Sequence, residues 1–254
     1  MFAHIKDAIF GGDTQGHSHS HSHTHGHGPG HGHSHGEGGG GGGGAGPGPD
    51  WTKETVHLYE QQPIAAEIGD KVPKAMRKAY AFDEDTTTVM DFACGTGLIA
   101  RGLAPYCKSI VGVDINPAMV DHFAEKIHNQ GIPLEEMRVV CADLKGTGSE
   151  LDGQKFDVIV CSAAYHHFES INDITRTLCF FLKPGGCLLV ADFMKSAQPV
   201  PEDVPNNEGF TEEDIRGAYA GAGLEGFSFD RFTKTKFHGQ IVDLFLAKGT
   251  KSTV

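Results

Sequence analysis

Residues Val89 to Gly97 read Val-Met-Asp-Phe-Ala-Cys-Gly-Thr-Gly, an apolar run that ends in an acid and enters a glycine turn before a helix-like stretch. This order suits a buried strand, a tight turn and a helix, because glycine reaches backbone conformations that cost other residues more. The turn bares backbone N–H groups at a helix start, and without a Cβ the main chain can come close to a ligand. A nucleotide-like ligand is expected there.

Asp91 closes the first strand, where a cationic or hydrogen-bond-donating part of the ligand would meet it and a pyrophosphate would be repelled. A second apolar run, Ser109 to Val113, ends in Asp114, placed where a carboxylate accepts the hydroxyls of a ribose. Gly95, Gly97 and Ala100 also satisfy a loose dinucleotide fingerprint, so nicotinamide cofactors have to be weighed. A third acid, Asp143, closes the run from Met137 to Ala142, where an adenine amino group would be read. Three strand-end acids favour S-adenosylmethionine.

Five segments, taken together, resemble the class I S-adenosylmethionine-dependent methyltransferases. They are Asp91 to Gly97, Gly112 to Met119, Cys141 to Leu144, Phe156 to Val160, and Leu182 to Asp192, and they stand in the family's order. The likeness covers roughly residues 85 to 195 and leans toward the ubiquinone and menaquinone type of small-molecule enzyme. It implies an α/β fold: a Rossmann-like, seven-stranded, mostly parallel sheet with helices on both faces. It also implies a cofactor site built from Asp91, Ala93, Cys94, Gly95, Gly97, Asp114, Ile115, Met119, Asp143, Leu144, Cys161 and Ser162. Within that set Asp114 is expected on the ribose, Asp143 near the adenine and Met119 over one adenine face. Cys161 and Ser162 are expected near the methionine end. Ala93 stands where the family most often has a glycine.

Runs of strand and helix character alternate from Thr88 to Ala191, which predicts a parallel sheet. Lys183 to Gly186 reads as a tight turn before the fifth strand, and Thr211-Glu-Glu-Asp as a helix start. Leu224 to Phe232 and Gln240 to Ala247 read as the last two strands, one of them antiparallel. Ahead of the first strand, residues 51–82 predict lid helices broken at Pro63 and again at Pro73, with Trp51, His57, Tyr59 and Tyr80 as lid candidates. The stretch from Lys195 to Gly209 is expected to border the substrate pocket.

Tyr165-His166-His167-Phe168 follows the fourth strand at its carboxyl end, where open parallel sheets bind ligands. Methyl transfer from a sulfonium asks the protein chiefly to hold the acceptor and exclude water. A base is useful when the acceptor is an acid that must lose a proton, and histidine suits that work. His166 and His167 are therefore the catalytic candidates, beside a reading in which one of them only bonds backbone.

Residues 1–50 are expected to be a disordered tail and 51–254 a single domain. From His17 to His35 nine histidines alternate with Ser, Thr, Gly and Pro, before the glycines from Gly38 to Gly44. A solvated tail, a weak divalent-metal arm and an expression tag all remain open. No resident metal is assigned to the domain. The net charge is −12 with no dense basic cluster, which argues against nucleic acid. No apolar run approaches the roughly 20 residues that span a bilayer, and no secretory signal is read, so a cytoplasmic protein with no membrane partner is expected. Its six cysteines show no Cys-x-x-Cys pair and read as reduced, mostly buried thiols. The expected activity is methyl transfer to a small molecule. The alternatives are a protein methyltransferase or regulator on the same fold, and a non-catalytic scaffold with a metal-binding tail.

Overall fold

The computed structural model describes residues 51–196, 204–237 and 239–253, so the histidine tract and most of the stretch after Ser196 lie outside the described residues. Two helices, α1 (Val56–Gln61) and α2 (Pro63–Ala79), precede β1 (Thr88–Phe92). Then come α3 (Leu98–Leu103), β2 (Ser109–Asp114), α4 (Pro117–Asn129), β3 (Met137–Cys141) and β4 (Phe156–Ser162). The chain continues with α5 (Ile171–Phe181), β5 (Leu182–Phe193), α6 (Glu212–Gly221), β6 (Leu224–Phe237) and β7 (Gln240–Lys251).

The strands form one seven-stranded sheet in the order β3-β2-β1-β4-β5-β7-β6. β1 to β5 pair in parallel, while β7 runs antiparallel to both β5 and β6. Alternate strand residues feed two apolar layers, as the twofold period of a strand requires. Val89, Val158 and Leu189 pack with α2, α3 and α4 on one face. Met90, Ile159 and Leu188 pack with α5 and α6 on the other. Strands covered on both faces read as unbroken apolar runs, which is why β4 and β5 show little polar alternation.

Local chemistry sets the helix ends. Asn116 caps α4 by accepting the N–H groups of Ala118 and Met119, with Pro117 in the first turn. Thr211 and Asp214 form a reciprocal capping box on α6. Pro63 opens α2 as expected, but Pro73 does not end it. The hydrogen bond that Pro73 cannot donate is lost, and its ring instead packs so tightly on α3 that a Cβ on Gly102 would lie 2.5 Å from Cγ. Two further boundaries differ from the expectation. β5 begins at Leu182, ahead of the glycines, with a register shift opposite Phe156 and Val158. β6 extends to Phe237, where it pairs as a two-stranded ribbon with the start of β7 and Phe237 is buried, and β7 extends to Lys251 because its last residues pair with both β5 and β6.

Candidate functional site

At the carboxyl end of β1 the chain enters the glycine turn through three left-handed residues, Ala93 (φ 54), Gly95 (φ 53) and Gly97 (φ 81). Gly97 caps α3. A Cβ at Gly97 would lie 2.2 Å from the Phe123 ring, so this glycine is required by the core. A Cβ at Gly95 would meet only the Met119 sulfur, at 4.0 Å. The space over Gly95 is therefore open.

Asp114, at the end of β2, is partly exposed and held at both oxygens. Its Oδ2 accepts the Gly95 N–H at 2.8 Å and its Oδ1 accepts the Asn116 N–H at 2.9 Å. Burial pushes its carboxyl pKa up, and these backbone donors pull against the shift. A carboxylate has about four lone-pair sites, so acceptor capacity remains for a pair of ligand hydroxyls. Ile115 beside it is 52% exposed, an apolar surface facing out from the site's edge. Met119 is buried one turn into α4. These features fit a nucleoside: an oriented carboxylate, an uncovered glycine and an apolar platform in one place.

The remaining cofactor candidates are placed less uniformly. Asp91 was expected to meet the ligand, yet it is 1% exposed and its Oδ2 accepts the Ala100 N–H at 2.9 Å. It shares the face of Val89 and therefore points at α3, and burial raises its pKa to about 7. Cys94 is buried in the turn, and burial pushes its thiol well up, away from reactivity. Cys161 is fully enclosed in the layer that contains Met90 and Ile159, so its side chain does not line the crevice. Ser162 beside it is partly exposed. Asp143 is exposed and pairs with Lys145 at 2.6 Å, while Leu144 is buried.

Four residues that the sequence did not single out, Asn116, Glu60, Arg101 and Lys126, join the N-terminal segment to α3 and α4. The Asn116 side chain donates to the Trp51 carbonyl at 3.2 Å. Glu60 of α1 pairs with Lys126 of α4 and with Arg101 of α3, the latter at 3.4 Å. Trp51 and Tyr59 stack edge to face with centroids 5.6 Å apart. Of the lid candidates, Tyr80 belongs elsewhere: it packs on Phe82, and burial followed by Asp157, at the amino end of β4, raises its phenol pKa.

Beyond β4, Tyr165–His167 form a single tight turn. His166 is 2% exposed and its Nδ1 lies 2.8 Å from Asp192 Oδ1, so it cannot meet a substrate as placed. His167 is partly exposed, and burial, followed by His166, lowers its pKa to about 4. Asn206 donates its N–H to the His166 carbonyl at 3.1 Å and its amide to the Phe168 carbonyl at 2.7 Å. Beside it a cavity of about 330 Å³ is lined by Ile171, Lys195, Asn206, Glu208 and Asp214 among others. Among the described residues no group of three or more His, Cys, Asp or Glu is arranged to hold a metal ion.

Residues 89–186 match the family model for a methyltransferase domain. An uncharacterized methyltransferase of Schizosaccharomyces pombe is 40% identical over 153 residues, which is 54% of this chain and 53% of that protein. A ubiquinone biosynthesis O-methyltransferase of Haemophilus ducreyi is 21% identical over 103 residues, 41% of this chain and 44% of that protein. The chain thus spans about half the length of the curated relatives it matches. Among solved structures, the YcgJ protein of Bacillus subtilis superimposes with a TM-score of 0.57 at 18% identity, over 71% of this chain and 97% of that one. The strand order, the glycine turn with its oriented acid, and these matches agree: residues 89–186 carry a methyltransferase domain, on the fold of the class I S-adenosylmethionine-dependent enzymes.

Proposed function

We propose that this protein transfers a methyl group from S-adenosylmethionine to a small-molecule acceptor. The observation that carries the reading is Asp114, fixed by Gly95 and Asn116 next to an uncovered glycine in a domain of this family. When bound, S-adenosylmethionine supplies a methyl group on a cationic sulfur, a leaving group that needs no further activation.

The chain's own work is then binding, orientation and exclusion of water. Gly95, Asp114, Ile115 and Met119 hold the nucleoside, with Asp143 and Leu144 at the adenine edge, while Ala93, Cys94 and the backbone at Cys161 and Ser162 border the methionine end. Asp91 supports this set from behind by fixing the first turn of α3. α1 is tied to α3 and α4 through Glu60, and Trp51 ahead of it through the Asn116 bond. The cavity beside Asn206, lined largely by polar and charged groups, suits a small polar acceptor better than a protein surface, which would need an open, extended face. Of the two histidines, His167 is the partly exposed one and so the one available to an acceptor.

We place the protein in the cytoplasm. All six cysteines are free, as a reducing compartment favours, and among the described residues no helix is long and apolar enough to cross a membrane. The full-length protein, incubated with methyl-labelled S-adenosylmethionine and fractionated cell extract, is expected to label small metabolites. Label confined to protein would replace the small-molecule reading, and no label in any fraction would overturn methyl transfer.

A further inference from the structure

β4 and β5 run side by side in parallel, so residues just beyond their carboxyl ends share one corner of the crevice. Asp192 comes from β5 and the two histidines from the turn after β4. Asp192 is 1% exposed, and a buried carboxylate is costly unless donors meet it. Its Oδ1 receives the Phe193 N–H at 2.7 Å and faces His166 Nδ1 at 2.8 Å, and its Oδ2 receives the His166 backbone N–H at 3.4 Å. Burial pushes the carboxyl up, but the charge of His166 and its hydrogen bond outweigh burial and hold Asp192 below the usual carboxylate range. Asp192 is therefore ionised, and the proton between the pair sits on His166 Nδ1.

The His166 ring lies 4.1 Å from that of His167 and 4.8 Å from Phe193, centroid to centroid. His167 is thus held against a ring that is itself fixed. Its Nδ1 is enclosed and has no hydrogen-bond partner among the described residues. An enclosed N–H without an acceptor is the rarer orphan in proteins, so this nitrogen is the bare one and the ring proton is on Nε2. With Nδ1 enclosed and the residue as a whole partly exposed, Nε2 is the nitrogen we assign to a ligand. His166 and Asp192 are the charged groups acting on His167, and burial together with His166 keeps it neutral far below neutral pH.

We infer that His167 donates its Nε2–H to the reacting atom of the methyl acceptor, that Asp192 is a positioning residue acting through His166, and that the acceptor is an ionised oxygen, a carboxylate or an acidic enol or phenol. The inference rests on the methyltransferase reading above. The choice of an anionic acceptor over a neutral amine follows from lone pairs. A neutral amine has one, which must attack carbon and cannot also accept from His167. An oxyanion has three, so it accepts one hydrogen bond and still attacks. The step then balances without a proton transfer: the oxygen–carbon bond forms, the sulfur–carbon bond breaks with its electron pair staying on sulfur, and the negative and positive charges cancel.

The test has two arms. The first needs no acceptor: ¹⁵N-histidine NMR of the full-length protein with S-adenosylhomocysteine is expected to show His167 neutral, with its proton on Nε2, from pH 8 down to about pH 5. The Asp192→Asn variant is expected to change the His166 ring signals and, through them, those of His167. A His167 ring protonated at pH 7, or carrying its proton on Nδ1, would overturn the inference.

The second arm follows label from methyl-labelled S-adenosylmethionine into the small-molecule fraction of a cell extract. His167→Ala is expected to lower incorporation by about 10²-fold through lost positioning of the acceptor, and His167→Gln, whose amide still donates, to recover most of it. A base could not be replaced in this way. The labelled methyl is expected on oxygen, as an alkali-labile ester or a stable ether. Label on nitrogen or carbon, or equal loss in the Gln and Ala variants, would overturn the inference while leaving methyl transfer intact. No label from the wild-type protein would overturn methyl transfer itself.

Discussion

The backbone N–H of Gly95 donates to Asp114 Oδ2 at 2.8 Å, so the acid at the end of β2 and the turn at the end of β1 are locked to each other before any ligand arrives. β1 and β2 are neighbours in register, with Phe92 opposite Val113, and the bond extends that register past the last paired residues. An acid fixed in this way loses little freedom on binding, and a ligand that bonds to it also tightens the turn.

Asp114→Ala should therefore weaken S-adenosylhomocysteine binding by about 10- to 100-fold, since a hydrogen bond to a charged group contributes about 1.5–3 kcal/mol. Asp114→Asn keeps an acceptor for Gly95 and should fall between the variant and the wild type. Calorimetric titration checks both. Unchanged affinity in a folded Asp114→Ala protein would remove Asp114 from the ribose.

The two glycines of the turn should fail differently. Gly97→Ala puts a Cβ 2.2 Å from the Phe123 ring at φ 81, so it should lower the melting temperature by roughly 5–10 °C and lose binding as a consequence. Gly95→Ala meets nothing closer than 4.0 Å and should stay folded while binding S-adenosylhomocysteine at least about tenfold more weakly, because the new methyl occupies the ligand's space. Thermal melts with and without S-adenosylhomocysteine separate the two. A folded, binding-competent Gly95→Ala protein would mean the turn has no ligand against it.

Much of the layout of this candidate site was legible because it is local. The turn, Asp114 and Met119 sit at fixed offsets from strand ends, and strand ends show as breaks in apolar runs. Asp91 was misread, although the signal was present: it shares the parity of Val89, so its side chain had to point at the helix layer and not along the crevice. Pro73 was read by its intrinsic cost, which tertiary packing on Gly102 overrides. Glu60 with Arg101, Asn116 with Trp51, and Asp192 with His166 are pairs between distant segments, and no spacing rule announces them. Asp192 alone left a trace, as an acid ending the apolar run of β5. Tyr80 could not be placed because an aromatic after a helix fits either end of the strands.

Glu60 should act as the latch of α1. Only Val56 of that helix is buried, so polar links hold it and the segment ahead of it: Glu60 to Lys126 and Arg101, and, before the helix, Lys53 to Asp121 at 2.8 Å. Segments with so little apolar burial open at low cost. Glu60→Gln should speed both S-adenosylhomocysteine release and amide exchange in residues 56–61 by roughly threefold to tenfold, the factor that about 1 kcal/mol gives. Stopped-flow release and hydrogen exchange read this directly. Faster amide exchange with unchanged release would show that α1 does not lie in the ligand's path.

Asp91 should leave its mark on stability against pH. Burial, opposed by the Ala100 N–H and assisted by the nearby Asp114, raises its pKa from 3.8 to about 7 in the folded protein. Between those values the folded chain keeps a proton that the unfolded chain has lost. The folded state then binds more protons, so stability falls as pH rises from about 4 to about 7 and levels off above, by a few kcal/mol at the order-of-magnitude level. Asp91→Asn removes that slope while Asn can still accept from Ala100. Denaturant melts at pH 5 and pH 8 should therefore show the variant gaining on the wild type at pH 8 and matching it more nearly at pH 5. An equal difference at both pH values would mean that Asp91 is ionised throughout, with its charge met by a donor other than Ala100.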